Sequence, residues 1–262
     1  MDILETIVAN KKLEVRSKKL EVSISDLEKA DLFVRQTLSL YQFLLDKNRT
    51  GIIAEYKRKS PSKGVINNIS TVENVTEAYA KFASGISVLT DENFFGGNTN
   101  DLIKARFNHI PILRKDFMID EYQIIEAKSI GADVILLIAA CLTVSEVKQF
   151  AGLAKRLGLE VLLEIHNDEE LAHICDDVDF VGVNNRNLKT FVVDIDTSLH
   201  LINKIPTEKL AIAESGISNV DTIVTLRNAG FKGFLIGENF MKEPDPSIAF
   251  ANFVTQLKTK LE

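Results

Sequence analysis

Eight short runs rich in valine, isoleucine and leucine recur along the chain, and their even spacing limits the possible folds more than any other feature. They cover residues 51–56, 86–90, 110–114, 134–138, 160–165, 180–183, 210–213 and 233–236. Successive starts lie roughly 20–35 residues apart, the length that a parallel strand and its returning helix require. Helical patterns fill the intervals at 72–84, 121–130, 144–157 and 220–229. Gly85, Gly131, Gly158 and Gly230 stand where helices would close before the next strand. Eight near-equal units predict an α/β fold, a single (β/α)8 TIM barrel, in preference to a doubly wound sheet. The length of 262 residues suits it, since such barrels typically take about 250.

No break in composition divides the chain, so 1–262 reads as one domain. Residues 1–48 stand outside the repeat as an N-terminal helical extension. Ile3, Ile7, Val8, Leu13 and Val15 mark an amphipathic helix, and Ser25-Asp26 reads as the cap before a second apolar stretch reaching Leu45. Such an extension can close the bottom of a barrel or lie over its catalytic face, and the pattern leaves both open.

Composition narrows the function classes. The formal charge of −6 provides no bulk attraction for nucleic acid or an anionic membrane, so an anionic substrate would need local basic residues. No apolar run reaches the roughly 18–20 residues of a membrane span. The first residues are acidic and amphipathic rather than signal-like, and a cytoplasmic location is expected. Cys141 and Cys175 offer no disulfide framework, and no CxxC suggests metal or redox chemistry. His109, His166, His173 and His200 lack metal-ligand spacing and read as structural or surface residues.

Barrels of this kind carry their chemistry at the C-terminal ends of the strands. Alternation puts Glu55 and Lys57 on one face of the first strand, with Tyr56 on the other. The third strand ends Arg114-Lys115, the fifth at Glu164, the sixth Asn184-Asn185-Arg186 and the seventh Glu214-Ser215-Gly216. One charge at a strand end is ordinarily just solvated, but five such ends on one rim suit acid–base work. Ser215-Gly216-Ile217-Ser218 and Gly237-Glu238-Asn239 read as helix openings after strands seven and eight, where barrels often bind phosphate. Glu238 would then contribute its N–H and point its side chain away. Thr90-Asp91-Glu92 reads as solvated loop acids rather than a cation site, and Ser60 lacks the partners of a nucleophile.

These segments resemble a known family. The stretch Ile53-Ala54-Glu55-Tyr56-Lys57-Arg58-Lys59-Ser60-Pro61-Ser62-Lys63-Gly64 is similar to the signature of indole-3-glycerol phosphate synthases. The likeness continues through Leu89–Gly97, Pro111–Phe117, Leu163–His166, Val183–Leu188 and Ala213–Ile217, and even the helix around Ile3 to Lys11 is similar. Lys59 and Phe240 depart from it, standing where smaller side chains are usual. The resemblance implies cofactor-independent closure, decarboxylation and dehydration of 1-(2-carboxyphenylamino)-1-deoxyribulose 5-phosphate in tryptophan biosynthesis. It implies no metal, a monomer acting on a small phosphosugar, and tryptophan-pathway enzymes as possible partners. Under it, Lys115 is the general acid, Lys57 holds the departing carboxylate, and Glu164 moves the proton of the dehydration. Glu55 orients the lysines, Asn184 and Glu214 hold sugar hydroxyls or the amine, and Arg186 braces the array. Ser60, Ser215, Gly216, Gly237 and Glu238 bind phosphate, while Phe95, Phe117 and Leu136 pack on the aromatic ring. Rival readings are phosphoribosylanthranilate isomerase, a Schiff-base aldolase using Lys115, and a barrel that only binds a phosphorylated ligand.

Overall fold

The structure, a computed structural model, describes residues 2–188 and 190–261. Eight parallel strands close into a barrel: β1 (Ile52–Tyr56), β2 (Gly85–Leu89), β3 (Ile112–Lys115), β4 (Val134–Ile138), β5 (Glu160–Ile165), β6 (Phe180–Asn184), β7 (Leu210–Glu214) and β8 (Gly233–Ile236). Each pairs with its sequence neighbours, and β8 returns to β1 through Ile52↔Phe234 and Ile53↔Leu235. The eight expected strands are all present, three with the expected bounds and five with ends displaced by a residue or two. β3 starts after Pro111, which has no N–H to donate to the ladder. β6 and β7 each run one residue further than the apolar runs, because Asn184 and Glu214 are themselves paired in register.

Strand alternation sorts the side chains into two cores. Ile52, Ala54, Val88, Ile112, Val161, Ala213 and Phe234 face outward, against the surrounding helices. Ile53, Leu113, Leu136, Leu162, Phe180, Ile212 and Leu235 face inward and fill the barrel. The same inward positions, continued toward the C-terminal ends, bring Glu55, Lys115, Glu164, Asn184 and Glu214 to one rim.

The N-terminal extension spans both ends of the barrel. α1 (Ile3–Glu21) opens on a capping box of Asp2 and Glu5. α2 (Ile24–Glu28) is capped by Ser23, not by the expected Ser25-Asp26. Ser23 Oγ accepts the N–H of Asp26 at 3.2 Å, so Asp26 lies in the first turn, its carboxylate 2.6 Å from that hydroxyl. α3 (Leu40–Leu45) closes the bottom: Leu40 and Leu44 join the inner core, and Glu160 at the start of β5 accepts from Ser39 Oγ (2.6 Å) and Leu40 N–H (2.7 Å). α1 lies at the opposite end, where Ile3, Leu4 and Ile7 border the cavity above the strand termini. No helix among the described residues is long and apolar enough to cross a membrane.

Candidate active site

Four strands build one charged cluster. Lys115 Nζ from β3 lies 3.0 Å from Glu164 Oε2 on β5 and 2.6 Å from Glu214 Oε2 on β7. Just after β1, Lys57 Nζ pairs with Glu55 Oε1 of that strand at 2.7 Å. Asn184 Nδ2 donates to Glu164 Oε1 at 2.9 Å, and its own Oδ1 accepts the N–H of Arg186 at 3.0 Å. Burial works against the Lys115 ammonium, but Glu164, Glu214 and Glu55 outweigh it and hold its proton above the ordinary lysine range. Burial likewise works against an ionised Glu164, yet Lys115, His166 and Asn184 keep it well below the usual carboxylate range. Glu214 goes the other way: burial and the nearby charges of Glu164 and Glu55 exceed the pull of Lys115 and push it up to about 7. Two carboxylates on one lysine are thus driven apart in acidity, an arrangement suited to proton transfer at neutral pH.

The cavity over this cluster has one apolar and one cationic end. Leu89, Phe95, Phe117, Leu136 and Ile138 form the apolar wall, roofed by Ile3, Leu4 and Ile7 of α1. The rings of Phe95 and Phe117 stand 6.0 Å apart and tilted by 37°. Phe95 ends the short helix Glu92–Phe95, whose cap Asp91 accepts the N–H of Phe94 at 2.8 Å. At the other end, Lys57, Lys63, Arg186 and Lys242 border a cleft with Ser215–Ser218 and Gly237–Asn239. Glu55, Lys57, Arg186, Ser215 and Glu238 line both parts, so the two are continuous.

A family model described as indole-3-glycerol phosphate synthase matches residues 4–253. The chain belongs to the indole-3-glycerol phosphate synthase family. The synthase of Bacteroides thetaiotaomicron is 46% identical over 259 residues, covering 98% of this chain and 99% of that one. That of a Polaromonas species is 41% identical, covering 95% and 97%. The family's activity is a carboxy-lyase reaction of tryptophan biosynthesis. A chain of the tryptophan synthase complex of Pyrococcus furiosus superposes with a TM-score of 0.62 at 17% identity, over 80% of this chain and 99% of that one, a likeness of fold alone.

Against the synthase resemblance, the structure gathers Glu55, Lys57, Lys115, Glu164, Asn184, Glu214, Arg186 and the apolar trio into one cavity, and three expectations change. Ser60 borders the apolar end with Pro61 and Ser62, not the cationic cleft. Ser215-Gly216-Ile217-Ser218 does not open a helix: Ser215 and Gly216 are both left-handed (φ 64° and 75°), and Asn219 caps the helix Val220–Ala229. Glu238 does not point away; its carboxylate lies 3.6 Å from Arg186 Nη2 and 3.8 Å from Lys63 Nζ, drawn by the cations around it. The two departures from the family pattern have separate structural roles. Lys59 donates to Asn93 O at 2.6 Å, joining the loops after β1 and β2, and Phe240 is buried against Tyr79, Phe250 and Phe253 behind the cleft.

Lys63, Lys242 and Leu4 are not among the expected site residues, and Ile3 and Ile7 mark only an amphipathic helix; the signal for the lysines is their place after strands one and eight. Gly237 shows how tightly the rim is built. A Cβ there would lie 2.5 Å from Glu55 Oε1 and 2.9 Å from Glu55 Cβ. Gly237→Ala is therefore expected to displace Glu55 from Lys57 and lower kcat/KM by about tenfold or more, the usual cost of small misplacements at a reacting centre. Unchanged steady-state kinetics would show that Glu55 has room to move.

Proposed function

We propose that this rim converts 1-(2-carboxyphenylamino)-1-deoxyribulose 5-phosphate to indole-3-glycerol phosphate with Lys115 as general acid and Glu164 as base. The observation that carries the reading is Lys115 clasped by Glu164 and Glu214 between an apolar wall and a cationic cleft. The anthranilate ring packs on Phe95, Phe117 and Leu136, and the phosphate lies among Lys63, Arg186, Lys242 and the backbone turns at Ser215-Gly216 and Gly237–Asn239. Between them the ketone falls beside Lys115.

The ring carbon bearing the carboxylate attacks the ketone carbon, and the ketone oxygen takes the Lys115 proton as its charge grows. Lys57, oriented by Glu55, holds the carboxylate until its bond electrons return to the ring and carbon dioxide leaves. In the dehydration, Glu164 removes the proton from the carbon beside nitrogen, while the former ketone hydroxyl takes a proton from the Lys57 ammonium, released from the carboxylate, and leaves as water. Asn184 aims Glu164, and Glu214 bonds the substrate amine or a sugar hydroxyl. A Schiff-base role for Lys115 is disfavoured, because its carboxylate partners hold it protonated and a nucleophilic amine must be neutral.

The test is direct, since the chain contains no tryptophan and its own emission interferes little. Mixing the protein with the carboxyphenylamino substrate is expected to give rising indole fluorescence. A flat trace from folded protein would sink the reading. Glu238 offers a second check, because its carboxylate competes with a phosphate dianion for Arg186 and Lys63. Glu238→Gln is expected to lower KM by about three- to fivefold with kcat little changed, worth about 1 kcal/mol of binding. A raised KM would instead make that carboxylate a substrate contact.

A further inference from the structure

His166 is a buried titratable group that the scheme above does not use. It follows β5 directly, two residues beyond Glu164, with a side chain only 11% exposed. Its Nε2 lies 3.2 Å from Glu164 Oε1, off the line of a directed hydrogen bond, so the contact is one of charge. On the other side, Nδ1 lies 3.1 Å from Glu170 Oε2, and the same oxygen accepts the backbone N–H of His166 at 2.7 Å. Glu170 is fixed in turn by Asn167, which accepts its N–H at 3.1 Å and donates to Oε1 at 3.2 Å.

We propose that His166 is a positioning residue, held between Glu164 and Glu170 as a fixed cation that keeps the Glu164 carboxylate ionised and aimed during dehydration. This rests on the reading of Glu164 as base. The two oxygens of Glu164 are divided: Oε2 meets Lys115, while Oε1 meets Asn184 and His166. Once Lys115 has passed its proton to the substrate, its charge no longer favours an ionised Glu164. His166 is the cation that remains beside it. Among the described residues, the other charged groups around His166 are Asp2 ahead of α1 and Arg186 and Asp194 after β6, which border the same cavity. Burial works against a charged imidazole there, but Glu164 and Glu170 outweigh it and hold its proton up to about 10.

The experiment compares His166→Gln with the parent enzyme, because a glutamine amide retains a donor toward Glu164 but no charge. The acid limb of kcat, which reports the bound complex, is expected to move up by about one pH unit, a tenfold loss along that limb. At pH 8.5 activity recovers to within about threefold, with KM within twofold throughout. Nitrogen NMR of the parent at pH 8 is expected to show one histidine with both ring nitrogens protonated, its signal lost in His166→Gln. A superimposable pH profile, a loss equal at every pH, or a neutral His166 imidazole would each overturn the proposal. Glu164→Gln separates it from the reading beneath: parental turnover in that variant removes Glu164 as base, whatever His166 does.

Discussion

Lys115→Ala is expected to lower kcat by about a thousandfold or more while KM changes by less than about fivefold, the pattern of a group acting in the transition state alone. Lys115 also holds Glu164 and Glu214 at 3.0 and 2.6 Å. Without the ammonium both carboxylates are buried with less compensation, and a proton will settle on them. Glu214 is already pushed up to about 7 by burial and its acidic neighbours. Part of any loss at neutral pH would then reflect a protonated Glu164 rather than a missing acid. The two effects separate with pH, since a carboxylate that has gained a proton releases it as pH rises and a missing acid is never restored. Turnover measured from pH 6 to 9 should therefore remain at least about a hundredfold below the parent at pH 9. Recovery to parental turnover at high pH would make Lys115 an electrostatic partner of Glu164 and not the proton donor.

The residues of this cluster were legible because strand alternation is a strong constraint. Glu55 at the end of β1 and Lys57 just past it keep to the inner side, while Tyr56 faces out and donates to Ser70 O at 2.9 Å. β4, β5 and β8 match their expected bounds, and β8 does so as an apolar run set between Lys232 and Gly237. Asn184 and Glu214 extend β6 and β7 beyond the apolar pattern, which registers hydrophobicity and not the ladder that joins them to each other. Less legible were the directions of side chains on loops. Glu238 and Ser60 each lie after a strand of known position, but which cavity they border depends on distant cations and on the Lys59–Ser60 and Gly64–Val65 hairpin. His166 reads as structural from its lack of metal-ligand spacing, a pattern that carries nothing about ion pairing. Its partners lie just two and four residues away, an acid–histidine–acid spacing visible in the sequence itself.

The least legible feature is Lys11, and it is expected to carry the largest single effect on stability. On an amphipathic helix a lysine ordinarily faces water, yet this one is fully buried, 2.9 Å from both Asp91 and Asp116. Those carboxylates come from the loops after β2 and β3, which also carry Phe95 and Phe117 over the reacting centre. Asp116 also pairs with Arg114 at 3.2 Å and accepts from Thr90 Oγ1 at 2.6 Å, whereas the Asp91 contact with Lys11 is one of charge and not a directed hydrogen bond. Lys11→Met keeps the volume of the stem but leaves Asp91 uncompensated, and is expected to cost about 3–5 kcal/mol, lowering Tm by about 6–15 °C. Asp91→Asn in the same chain removes the stranded charge and should restore part of that loss. The effect also carries a pH signature. Burial pushes Asp116 up, but Lys11 and Arg114 outweigh it and hold it at about 2, so its contribution is present above the unfolded carboxylate value and lost as pH falls toward 2. Lys11 itself is held above the ordinary lysine range despite burial, so its contribution persists below the unfolded lysine value and is lost only in strong alkali. The gap in stability between parent and Lys11→Met should therefore be widest from about pH 5 to 9 and narrow below about pH 4. Melting curves that differ by less than about 2 °C at pH 7 would mean that Asp91 needs no charge from Lys11, and that α1 holds to the barrel through Ile7 and Val15 instead.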